Sequence, residues 1–234
     1  MDLLDKFLQA KAKNPDTVSD REVLGMGISM VLAGSETTAI TLSAVLYHVL
    51  KQPMVYQKLR QEIDTAFPAN GDATVVFQKA QKLPYLDACI KEGFRIHPAG
   101  RFSAERVLPP AGATIAEHEI PGSTVVGVNA WVLHRRTEIY GDDVEVYRPE
   151  RWLPTLEADK GRVVEMERTL FQFGAGRFSC IGKNISLLEM YKAIPSLIRA
   201  FDFALVEPGK EWRFESGSFA NVSGVNVRLK TREG

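Results

Sequence analysis

The stretch Phe173-Gly174-Ala175-Gly176-Arg177-Phe178-Ser179-Cys180-Ile181-Gly182, followed by the helix-like run Lys183 to Phe201, decides how the rest of the chain is read. Glycines at 174, 176 and 182 bracket a cysteine with positions that carry no bulk, which suits a tight loop projecting a sulfur into the first turn of a helix. There the free N–H groups and the positive end of the helix dipole lower a thiol pKa and donate to sulfur, so this pattern points to a nucleophile or a metal ligand. The plainer alternative is an inert core cysteine. No partner motif for a serine or cysteine nucleophile accompanies the loop, and His48, His97, His118 and His134 are scattered without ligand spacing.

Composition bounds what the loop can belong to. The chain has 234 residues, 45% apolar and 25% charged, enough for one large domain or two small ones and incompatible with disorder or a collagen-like repeat. Lys plus Arg equals Asp plus Glu at 29 each, so nothing in the net charge attracts nucleic acid. Two cysteines, Cys89 and Cys180, exclude a disulfide framework, a four-cysteine zinc site and a CxxC pair, and they suit an intracellular chain. Asp2, Asp5, Lys6, Lys11, Lys13, Asp16 and Asp20 interrupt the opening residues, so no signal peptide is expected.

Gly25 to Leu50 carries one charge, Glu36, and is long enough to span a bilayer. Glu36 near its centre and the interspersed Ser, Thr and His48 weigh against spanning; the expected structure is a helix surrounded by protein. Ser19-Asp20-Arg21-Glu22 is a capping box at its start, and Pro53 stops it and opens the next helix, through Phe67. Gly25, Gly27 and Gly34 each cost about 1 kcal/mol in a helix, which calls for the close approach of another body. Ala33 and Gly34 share a face with Thr37, and Glu36 stands beside it, so a flat patch adjoins a hydroxyl and a carboxylate. A planar ligand or a helix-packing notch with back-bonded hydroxyls would each use that patch.

After a loop near residues 68 to 75, Pro84 opens a helix that ends at His97-Pro98 and holds Glu92 and Arg95 three positions apart, an ion pair on one face. Arg148-Pro149-Glu150-Arg151-Trp152 adds an arginine in a proline-fixed turn. Arg106 to Leu108, Ala113 to Ile120 and Thr124 to Val132 read as strands, as do Phe203 to Val206, Trp212 to Phe214 and Val225 to Leu229. The expected fold is mainly α with small antiparallel β-sheets, an α+β arrangement.

Phe173 to Gly182 resembles the haem-binding loop FxxGxRxCxG of the cytochrome P450 monooxygenases. Three other pieces fall in the same family order: Ala33 to Thr38 resembles (A/G)Gx(D/E)T(T/S), Glu92 to Arg95 resembles ExxR, and Pro149 to Trp152 resembles PERF/W. The run Lys183 to Met190 and the segment Gly112 to His134 are most similar to fungal microsomal members of the pisatin-demethylase type. The resemblance implies the C-terminal half of that fold: a long distal helix over 19–52, the ExxR helix over 84–97, a β-rich segment over 100–135, a meander and haem loop over 136–182, a proximal helix over 183–201 and a β-rich tail over 202–234.

By that resemblance the cofactor is haem b, with Cys180 as axial thiolate, Ala33 and Gly34 over the distal face, Phe173 packed beneath the ring, and Gly174 and Gly182 shaping the loop. Thr37 donates to dioxygen and Glu36 relays protons; Arg106 meets a propionate; Glu92, Arg95 and Arg151 form an internal ion cluster. The pattern departs where arginine is expected two residues before the cysteine, since Phe178 stands there and Arg177 one earlier, offering a shifted propionate donor. The implied activity inserts one atom of dioxygen into a small apolar substrate, with electrons from an NADPH-dependent reductase. The chain then reads as a truncated domain, on the cytoplasmic side and without the endoplasmic-reticulum anchor of its family, and a separate N-terminal half would be a partner. A haem-binding module without turnover and a nonfunctional gene fragment are the competing expectations.

Overall fold

The computed structural model describes residues 2–68, 74–156 and 159–232. Most of the loop expected near 68 to 75 lies outside the described residues. Helix α1 (Leu3–Lys13) lies along the start of α2 (Asp20–Lys51), whose Ser19 and Glu22 form the capping box. α3 (Pro53–Ala66) and the short α4 (Phe77–Ala80) lead into α5 (Pro84–Ile96). No residue of α5 caps its own start, and Glu62 of α3 does so instead, its two carboxylate oxygens accepting the Tyr85 and Leu86 N–H groups at 2.8 Å each.

Strands β1 (Ala104–Val107) and β4 (Val125–Val128) pair antiparallel around the hairpin of β2 (Ala113–Ile115) and β3 (His118–Ile120). Two short helices follow, α6 (Ala130–Leu133) and α7 (Thr137–Tyr140), then a 3-10 turn at Pro149–Trp152 and α8 (Asp159–Thr169). The cysteine loop leads into α9 (Lys183–Ala200). At the tail β5 (Phe201–Leu205) pairs with β8 (Val227–Thr231), enclosing a hairpin of β6 (Arg213–Ser216) and β7 (Ala220–Ser223). The fold is helical with small antiparallel sheets, as its composition of elements suggested.

Three expectations change. Ala113 to Ile120 is two strands, because Ala116 and Glu117 adopt φ of 48° and 68° and reverse the chain without glycine. The strand expected to reach Val132 stops at Val128, where the Asn129 side chain accepts from the Trp131 N–H at 2.9 Å and starts a helical turn. Protein surrounds only the second half of α2: Ile40, Thr41, Ala44, Val45, Tyr47 and Val49 are buried, whereas Leu24, Ile28, Val31 and Leu32 are exposed. By length and composition α2 could cross a membrane, yet from Thr38 onward it packs into the protein core.

That core joins Val45 and Val49 of α2, Leu59 and Ile63 of α3, Leu86, Ile90 and Phe94 of α5, and Met190, Ile194 and Ile198 of α9. A Cβ built at Gly25, Gly27 or Gly34 meets nothing within 4 Å, so the close approach expected there is found elsewhere. It occurs at Gly93, where a Cβ would stand 2.3 Å from Val45 Cγ2, and this is what lets α5 lie against α2. Cys89, fully buried on α5, is a core residue, and burial pushes its thiol well above the usual range.

Beside this crossing lie Glu92, Arg95 and Arg151, all at 0% exposure. Glu92 Oε1 accepts from Arg95 Nη2 (2.8 Å), Arg151 Nε (3.1 Å) and the Arg148 N–H (2.9 Å). Its Oε2 accepts from Arg95 Nε (2.9 Å) and Trp152 Nε1 (2.8 Å). Arg95 also donates to the carbonyls of His134, Val144 and Val146, and Arg151 to those of Tyr140, Asp143 and Val146. Asp143 balances the second arginine at 2.9 Å; partial burial pushes its carboxyl up, but Arg151 and Arg148 hold it below the usual range. Removing one partner of a buried pair costs about 3–5 kcal/mol. Arg95→Leu should lose that much in urea unfolding, a large part of a typical total of about 5–15 kcal/mol, while Arg136→Ala, which breaks an ion pair exposed by half or more, should stay within about 0.5 kcal/mol of wild type.

Candidate functional site

The second half of α2, the end of α5, strand β1 and the cysteine loop enclose a cavity of about 530 Å³. Thr37 and Thr41 face it from α2, Phe94 and Pro98 from α5 and its exit, Arg106 from β1, and Phe173, Gly174, Phe178 and Cys180 from the loop. Phe219 from the tail hairpin closes another side.

The loop takes its shape from its glycines. Gly174 and Gly176 have φ of +66° and +65°, a region that strains any residue with a Cβ. Between them and the cysteine runs a single 3-10 turn, Gly176–Phe178, and the Cys180 N–H closes the loop by donating to the Phe173 carbonyl at 2.7 Å. The Phe173 ring packs edge-on against Phe94 at 5.1 Å, tying the loop to α5. Cys180 stands three residues before the first residue of α9 and not inside its first turn, because Cys180 to Lys183 forms a turn of its own, with the Lys183 N–H on the Cys180 carbonyl at 3.3 Å. The side chain is exposed and unpaired with Cys89, and a Cβ built at Gly182 would stand 3.8 Å from its sulfur.

Opposite the loop, the Thr37 hydroxyl donates to the Ala33 carbonyl at 2.7 Å, the back-bond typical of a helical threonine. Rotation about its C–O bond turns the same hydrogen into the cavity. Glu36 next to it is exposed and accepts from Asn221 Nδ2 of β7 at 2.8 Å. Thr38, one position on, donates to Ser186 Oγ of α9 at 3.3 Å, so the two helices flanking the cavity touch directly.

Of the residues singled out by sequence, the structure brings Thr37, Arg106, Phe173, Gly174 and Cys180 to one cavity. Ala33, Gly34, Glu36, Arg177 and Gly182 adjoin it in sequence but are not on its wall, and Glu92, Arg95 and Arg151 lie away from it in the core. Sequence reasoning missed Asn221, which holds Glu36, Trp152 and Asp143, which complete the ion cluster, and Phe178 as a lining ring; Trp152 is signalled only by its place in the PERF/W stretch and Phe178 only as a departure from the loop pattern, and Asn221 and Asp143 have no local signal. Among the described residues no group of three or more His, Cys, Asp or Glu could hold a metal ion. A metal at Cys180 would therefore have to bring most of its other ligands with it.

His134, also missed, links the ion cluster to the loop. Fully buried, its Nε2 accepts the Phe171 N–H at 2.8 Å, which leaves Nδ1 protonated toward the Arg95 carbonyl at 3.2 Å. Burial, helped by the charges of Arg95 and Arg135, lowers its pKa from 6.5 to about 4. A histidine kept neutral in the fold lets the unfolded chain bind the extra proton below pH 6.5, so stability is lost as pH falls from 6.5 toward 4. Between pH 7 and pH 5 the native chain should lose about 2 kcal/mol more than His134→Gln, each loss measured as the shift in urea midpoint.

A cytochrome P450 family model matches residues 1–226. A cytochrome P450 monooxygenase of Emericella nidulans is 42% identical over 234 residues, which is 100% of this chain and 46% of the relative. A second, from Aspergillus candidus, is 38% identical over 100% of this chain and 44% of its own length. Pisatin demethylase of Fusarium vanettenii is 40% identical over 91% of this chain and 39% of its own length. The chain thus spans less than half the length of these relatives.

Proposed function

The chain belongs to the cytochrome P450 family, and on that premise we propose that it is the haem-binding part of a monooxygenase, in which the Cys180 thiolate would hold the haem iron. The observation that carries this reading is the one cavity that Thr37 and Cys180 line from opposite sides. The residues fit the group: about 530 Å³ lies within the usual range for a bound organic molecule, with phenylalanine rings for a flat macrocycle, one soft sulfur for its metal and a guanidinium for an acidic edge. Haem b, when bound, supplies the chemistry by which one atom of dioxygen enters an apolar substrate and the other leaves as water, with two protons and two electrons from an NADPH-dependent reductase.

The chain's own residues divide the remaining work. Cys180, on a loop turned by the left-handed Gly174 and Gly176, would present its sulfur to the metal, while Phe173 holds the loop on α5 by packing against Phe94. Thr37 swings its hydroxyl from the Ala33 carbonyl into the cavity as a hydrogen-bond donor, and Glu36, exposed to solvent and steadied by Asn221, resupplies the proton. Phe94, Phe102, Phe219 and Val128 supply apolar surface on the wall, between the polar Gln172, Ser103 and Ser186, and favour a small apolar substrate. We place the enzyme on the cytoplasmic side of the membrane that carries its reductase.

Titrating the chain with hemin and recording the reduced, carbon-monoxide-bound spectrum tests this. A red-shifted Soret band of the thiolate type is expected, lost in Cys180→Ser and kept in Cys89→Ala. An unchanged band in Cys180→Ser, or no haem uptake by the native chain, overturns the assignment.

A further inference from the structure

Two arginines stand near the loop, and the structure treats them differently. Arg106 lines the cavity and Arg177 does not. Both approach the Phe178 ring, the Arg106 guanidinium carbon 4.0 Å from its centroid and that of Arg177 at 5.1 Å. The shorter distance is that of a guanidinium stacked on a ring face. Arg106 is fixed on a second side by Nη1, which donates to the Glu105 carbonyl at 2.5 Å. Among the described residues no carboxylate pairs with it, so its remaining N–H groups have no acidic partner in the protein. A half-buried guanidinium on a cavity wall, oriented from two sides and left without a counter-charge, is arranged for an anionic group of whatever fills the cavity.

We propose that Phe178 is a positioning residue: its ring holds Arg106 against the cavity wall as the contact for a carboxylate on the edge of the bound macrocycle, and Arg177 stays outside. The proposal rests on the haem reading for the nature of the ligand, but the positioning itself concerns the protein alone. It also explains the departure at this point of the loop. An aromatic ring two residues before the cysteine does not supply a cation; it stations one that comes from β1.

Hemin and its dimethyl ester, which lacks free carboxylates, are the probes, with affinity read from Soret titration. The native chain should bind hemin at least tenfold more tightly than the ester, and Arg106→Leu should erase that preference. Phe178→Ala should weaken hemin binding by about two- to fivefold, with no further loss in the Arg106→Leu background, while Phe178→Tyr restores binding and Arg177→Leu leaves it unchanged. Equal losses from Phe178→Ala in both backgrounds would reduce the ring to packing and overturn the proposal, as would a loss in Arg177→Leu equal to that in Arg106→Leu. Without any ligand, Arg106 side-chain protons should resonate upfield in the ring current of Phe178 and return to ordinary positions in Phe178→Leu. Failure of both porphyrins to bind would defeat the haem reading alone; unshifted Arg106 resonances in the native chain would defeat the positioning role.

Discussion

Glu92 is the point on which the structure turns. Its carboxylate, wholly removed from water, accepts from five donors carried by α5, the Arg148 backbone and the Pro149–Trp152 turn. Burying a charge is tolerable only when every lone pair is matched, and here matching requires segments some 60 residues apart to meet in one geometry. The two arginines then extend the constraint to a ring of backbone carbonyls, so that irregular chain between α6 and α8 is held by charged donors and not by regular pairing. Such a cluster contributes little net stability against an apolar substitute of the same shape, but it admits few alternatives.

From this anchor the order passes outward to the cavity by two routes. One is His134, which takes the Phe171 N–H and so sets where the cysteine loop begins. The other is Phe94, beside Arg95 on α5, against which the Phe173 ring rests. The seating of α5 on α2, the helix that carries Thr37 and Thr41, depends on Gly93, since a Cβ there would collide with the Val45 side chain. The placement of Cys180 thus rests in part on residues that do not line the cavity, Gly93 and His134, while the loop itself is shaped by its left-handed glycines and closed by the Cys180 N–H on the Phe173 carbonyl.

Much of this was legible in the chain because the signals are local. The capping box at Ser19, the proline starts at Pro53 and Pro84, the Glu92 and Arg95 pair, and the glycine-flanked cysteine each lie within a few residues of one another. What was not legible depends on partners far away in sequence. Glycine cost in α2 suggested a close approach at Gly34, whereas the tight contact is at Gly93, and only the position of Val45 reveals it. Ala116 and Glu117 turn the chain with positive φ although neither is a usual turn residue, so alternation alone ran two strands into one. The apolar length of α2 suggested burial throughout, but burial follows neighbours and not composition, and it begins in earnest at Thr38. Asn221 beside Glu36 is a meeting of residues 185 positions apart, which no periodicity announces.

The tail hairpin is sewn to the exit of α5 by backbone bonds, from Arg101 to Ser218 at 3.0 Å and from Ala220 to Ala99 at 2.8 Å, with His97 Nε2 2.7 Å from the Ala220 carbonyl. Phe219, and with it one side of the cavity, is therefore supplied by residues that follow every other part of the cavity lining in sequence. Contacts of such long sequence separation form late, since the intervening loop must be closed before they return any energy. The cysteine loop, α2 and the ion cluster can all be in place while this side still stands open, like a drawer not yet pushed home.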